Sequence, residues 1–144
     1  MKSMSRILIL LPFVFFGSLQ GQTDSVERMI QRGDSLIVGT CYGSNFKHLD
    51  MYRKTRWQGN EPTYDTATGT GFFASFFATG DFDVAELPAS YSRRKFEVIG
   101  VEVLTRKETG TPLNILYLRG DLPNSVIWVD FDEAFDSGEI RIPE

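Results

Sequence analysis

Between Gly69 and Asp83 the chain sets five phenylalanines among glycines and small residues, GTGFFASFFATGDFD. A fold that leaves these rings in water is untenable, because each fully buried phenylalanine contributes about 2 kcal/mol or more. Phe72 and Phe76 stand four apart, as do Phe73 and Phe77. A helix puts those pairs on adjoining sides and leaves Ala74, Ser75, Ala78 and Thr79 as a small, mildly polar back. Thr70 is placed to cap its start and Gly80 to end it. The segment therefore predicts a short core helix laid on a sheet. An apolar pocket is the competing expectation, since ligand sites use the same residues. A phosphate cradle is disfavoured: Gly69 and Gly71 follow a polar loop instead of a strand, and no Lys-Ser or Lys-Thr pair comes after them.

The sheet that such a helix needs is visible downstream. FEVIGVEVL (96–104), LNILYLR (113–119) and SVIWVDF (125–131) are rich in β-branched and apolar residues, and TRKETGTP and GDLPN between them carry turn residues. Together they predict a three-stranded antiparallel meander. Upstream, SLIVGTCYG and NFKHLDMYRKTRW (45–57) predict two more strands, joined as a hairpin through the short GSN. QGNEPTYDTATG (58–69) has no periodicity and is expected as a polar loop. DVAELPASYSRRK is expected as a turn or short helix, with Asp83 and Glu86 at capping-box spacing. TDSVERMIQRG predicts an N-terminal helix capped at Asp24, with Glu27 three residues on and Gly33 as its stop. Asp132 and Gly138 bracket a final short helix. The fold class is α+β: about five antiparallel strands, able to coil into a small barrel-like sheet, with an N-terminal helix and short covering helices.

The first 21 residues stand apart. Lys2 and Arg6 form a basic head, Ile7 to Phe16 an apolar run broken only by Pro12, and small or polar residues follow. That layout predicts a secretory signal peptide over 1–21, cleaved after Gly21, and a single globular domain over 22–144. The apolar run is half of the roughly 20 residues that a spanning helix requires, so no stable membrane insertion is expected after cleavage. The expected location is periplasmic or extracellular, in the bacterial style. Loss of Lys2 and Arg6 takes the formal charge from −4 to −6. An acidic, exported domain argues against nucleic acid as a partner.

Candidate chemistry is sparse. Cys41 is the only cysteine and His48 the only histidine. A small hydrolase-like enzyme built on that couple is one alternative, with Asp50 behind the imidazole. A strand cysteine is more simply a small buried residue, and one Cys with one His falls short of a zinc site. Asp130, Asp132, Glu133 and Asp136 form an acidic group without EF-hand spacing, so calcium is not expected. The triplet RGD occurs at 32–34 and 119–121, both times where an element meets a turn, which suffices to explain it.

The most suggestive residues are basic and aromatic. Arg53, Lys54, Arg56 and Trp57 lead into a loop carrying Tyr64, and Arg93, Arg94 and Lys95 open the third strand. Converging, they would form an anion-binding patch on which Trp57 and Tyr64 stack against a sugar face. The competing expectation is a solvated strand edge, where Lys and Arg discourage edge-to-edge pairing. The expected role is a non-enzymatic binding or interaction domain with a glycan or protein partner and no cofactor or metal. A structural subunit of an envelope assembly is the other alternative.

Overall fold

The computed structural model describes residues 30–144. The expected signal peptide and most of the expected N-terminal helix lie outside the described residues. Within them the strands are β1 (Ser35–Val38), β2 (Asn45–Arg56), β3 (Asp81–Pro88), β4 (Lys95–Thr105), β5 (Pro112–Arg119), β6 (Ser125–Asp130) and β7 (Ile140–Arg141). Two short helices, α1 (Phe72–Phe77) and α2 (Phe131–Asp136), interrupt them. All seven strands join one antiparallel sheet in the order β3-β2-β6-β5-β4-β1-β7, curled into a half-barrel.

The meander β4-β5-β6 forms as its apolar runs and turn residues predict. Its two inner strands are buried on both faces, which explains why their sequences read as continuous apolar runs. Leu116, Leu118, Ile127 and Val129 face a core shared with Leu36, Phe46 and α2. Ile115, Tyr117 and Val126 face the opposite way, into a second core roofed by α1. There Phe72 and Phe76 are buried and stack at 5.6 Å, while Phe73 and Phe77 are half-buried on its flank. The phenylalanine segment is therefore core filling on the sheet's second face.

Four expectations are corrected. The sheet has seven strands where about five were expected, because residues 81–88 and 140–141 also pair. The β1–β2 hairpin does not form: β1 pairs with β4 and β7, and β2 pairs with β3 and β6. Val38 and Leu36 gain full burial there, which a two-stranded ribbon could not provide. Residues 83–88, expected within a turn or short helix over 83–95, form most of β3 along the edge of β2. Cross-strand pairing outweighs the local capping-box signal, because Asp83 faces Arg53. The helix caps also differ. Gly71, in the left-handed region at φ 85°, precedes α1 where Thr70 was expected, and neither helix has a side-chain cap bond. Asp132 instead lies within α2 and accepts from Asn114 Nδ2 at 2.9 Å.

Candidate functional site

The basic residues singled out by the sequence are mostly occupied. Arg53 pairs with Asp83 at 2.9 Å and Arg56 with Asp81 at 2.7 Å, both across the exposed β2–β3 edge. Arg94 pairs with Asp121 at 3.1 Å and lies 4.6 Å over the ring of Tyr91. Arg93 adopts φ 67° in the turn before β4, where its backbone N–H donates to Val38 O. No single anion patch results, since Arg53, Arg56 and Arg94 each face their own carboxylate.

Lys54 turns inward. A second register shift in the β2–β3 ladder falls beside it, between Lys54 and Arg56. Its Nζ donates to Phe76 O at 2.7 Å, at the C-terminal end of α1, where a cation favours the free carbonyls. The Glu61 carboxylate lies 3.7 Å away, and the Trp57 ring covers the ammonium at 4.1 Å. Glu61 also accepts the backbone N–H groups of Gln58 and Gly59 and the hydroxyl of Thr79. The Gln58 hydrogen bond leads in holding its carboxyl down at about 2. Trp57 is 43% exposed, with its edge against Phe76. Tyr64, 38% exposed, sits edge-on to Phe72 at the other end of α1. The two expected stacking rings are thus the outer rim of the aromatic core.

Cys41 lies in the turn after β1, half-buried, with Sγ 3.6 Å from Gly43 O. Among the described residues no hydrogen bond joins it to His48, whose backbone N–H is held by Glu139. The C-terminal acids are likewise engaged: Asp130 accepts from Trp128 Nε1 and Glu133 pairs with Arg106. No group of three or more His, Cys, Asp or Glu side chains poised to hold a metal occurs among the described residues.

A cleft opens elsewhere, with a volume of about 410 Å³. Its walls are Ile30–Arg32, Thr68–Gly71 and Gly100–Glu102, three segments far apart in the chain. The loop wall is shaped by a closed turn. Gly69 N–H donates to Asp65 O at 2.7 Å, and Asp65 N–H donates to Thr70 O at 2.9 Å. Gly69 adopts φ 80°, and a Cβ there would stand 3.1 Å from Arg32 Cδ and 3.3 Å from Ile99 O. The bare glycine lets the arginine lie against the loop. Arg32 Nη1 reaches Ala67 O at 3.5 Å, while its Nε is buried without a hydrogen-bond partner. Burial raises the Glu102 carboxyl above its ordinary range. Among the described residues neither side chain has an ion-pair partner.

Sequence reasoning passed over Arg32 and Glu102. The first RGD triplet and the G-x-G pair do mark two of the three walls, but only the β4 bulge at Gly100 brings in the third. Tyr64 abuts Gly71, where a Cβ would lie 3.5 Å from Tyr64 Cβ, but its ring packs on Phe72 and does not line the cleft. No protein-family model, no curated protein and no solved structure matches this chain.

Proposed function

We propose that this chain is a small exported domain that acts by binding a glycan and does not turn it over. The observation that carries the reading is the cleft between Arg32 and Glu102. It is polar, of ligand size, and holds a donor and an acceptor that do not satisfy each other. Saccharide hydroxyls donate and accept at once, so they suit such a pair. The catalytic alternative lacks comparable support, because Cys41 Sγ reaches Gly43 O and no hydrogen bond joins Cys41 to His48 among the described residues.

The test is a glycan array probed with the full chain, followed by titration of retained saccharides against two variants. Glu102→Ala is expected to weaken binding about tenfold, the loss of a hydrogen bond to a charged group. Trp57→Ala is expected to leave affinity unchanged, since that ring covers Lys54 on the far end of α1. An array on which no saccharide is retained overturns the reading. N-terminal sequencing of the protein recovered outside the cytoplasm tests export, with Gln22 as the expected first residue.

A protein partner is the second reading, favoured by the free edge of β3. Among the described residues that strand hydrogen-bonds only to β2, and it leaves Val84 52% exposed. Asp81, Asp83 and Glu86 along it discourage self-pairing, so the edge suits a partner strand bearing basic residues.

A further inference from the structure

We propose that the saccharide taken by this cleft is acidic, bearing a carboxylate that Arg32 receives while Glu102 accepts from a neighbouring hydroxyl. This inference rests on the glycan-binding reading and specifies its ligand. Arg32 lines the cleft, and the enclosed Nε–H of its guanidinium is a donor that nothing in the described chain satisfies. A guanidinium donating to a carboxylate makes a charge-assisted hydrogen bond, about twice as strong as a neutral one. Nη1 is already directed at Ala67 O and Nε is enclosed beside Gly69, so the remaining amino group is the donor left for a ligand. Gly69 fixes its orientation, because the guanidinium stem packs where a side chain would otherwise stand.

A phosphate is disfavoured by the same wall. Phosphate loops present free backbone N–H groups, whereas Gly69 N–H is committed to Asp65 O and Thr70 N–H to Thr68 Oγ1 at 3.2 Å. A dianion would also meet Glu102 across the opening. A sugar acid carries one charge on one side of its ring and hydroxyl donors on the other, which matches the order of Arg32 and Glu102. Burial strengthens the Glu102 preference for a hydrogen-bonded partner, since it penalises the bare anion.

The experiment titrates the full chain with digalacturonate, with its methyl ester, and with the neutral galactose disaccharide, read by calorimetry. The expected result is that the acid binds about tenfold tighter than ester or neutral sugar, the size of a charge-assisted pair. Arg32→Gln is expected to abolish that preference, leaving the three ligands equal. Glu102→Gln is expected to weaken the ester, which loses a hydroxyl acceptor, and to weaken the acid less, since the same change removes a negative charge facing it. Circular dichroism verifies folding of each variant, and chemical-shift changes at Gly69 and Gly100 on adding digalacturonate supply a second readout on the wild type. Equal binding of acid and ester by the wild type overturns the inference and leaves the glycan reading standing. Absence of binding to all three, with an empty array, removes both. An acid preference that survives in Arg32→Gln removes Arg32 as the receptor.

Discussion

The Glu139 carboxylate accepts the backbone N–H of His48 at 2.8 Å, and its other oxygen accepts that of Lys47 at 2.9 Å. These two amides fall in a gap of the β2–β3 ladder, where the five steps from Asn45 to Asp50 face only two from Pro88 to Glu86. The gap strips them of strand partners. Glu139 stands just before β7, the last strand of the order, while β2 lies one strand in from the other end, so the carboxylate ties together strands far apart in the sheet. Glu139→Ala is therefore expected to cost about 2 kcal/mol, the value of hydrogen bonds to a charged group. Urea unfolding measures it, and faster hydrogen exchange at Lys47 and His48 would localise the loss.

Lys54 makes a separate, local stake. Lys54→Met keeps the length of the side chain and removes the charge from between Phe76 O, Glu61 and the Trp57 face. Breaking one side of a buried pair leaves the other uncompensated, so a loss of about 3 kcal/mol is expected. Trp57 fluorescence should shift to the red in the folded variant as the ring detaches. An unchanged midpoint and spectrum would show that the ammonium is dispensable.

Glu61 predicts how the same region responds to acid. Its folded carboxyl sits at about 2 against an ordinary 4.5, led by the Gln58 N–H. A depressed folded value means the unfolded chain binds the proton first. The stabilisation is complete above about pH 4.5 and fades as the pH falls towards 2. Thermal melts between pH 5 and 2 should show a steep loss in the wild type and a shallower one in Glu61→Gln.

Asp50 has the opposite sign. Burial first, then the charges of Asp130 and Glu86, raise its carboxyl above the ordinary range. The folded state then holds its proton longer than the unfolded one, so this group lowers stability once the pH rises through its unfolded value. Asp50→Asn is expected to stabilise the protein at pH 7 by less than about 1 kcal/mol, since the carboxylate is partly in water. The difference from wild type should vanish below both values. A destabilised variant at pH 7 would mean that Asp50 has an attractive partner.

What the sequence determined by itself is what one or two turns of chain can encode. The spacing of Phe72, Phe73, Phe76 and Phe77 dictated α1, and strand-favouring runs bounded by turn residues dictated β2 and the β4-β5-β6 meander, because each signal lies within one element and its turns. The tertiary structure decided the rest. It chose β4 and β7 as partners of β1, drew residues 81–88 onto the edge of β2, and turned Lys54 inward beneath Trp57 while its neighbours Arg53 and Arg56 stayed at the surface. It also assembled Arg32, Gly69 and Glu102 around one cleft. In each case the deciding energy comes from surfaces buried against residues distant in the chain, which no local pattern of those residues records.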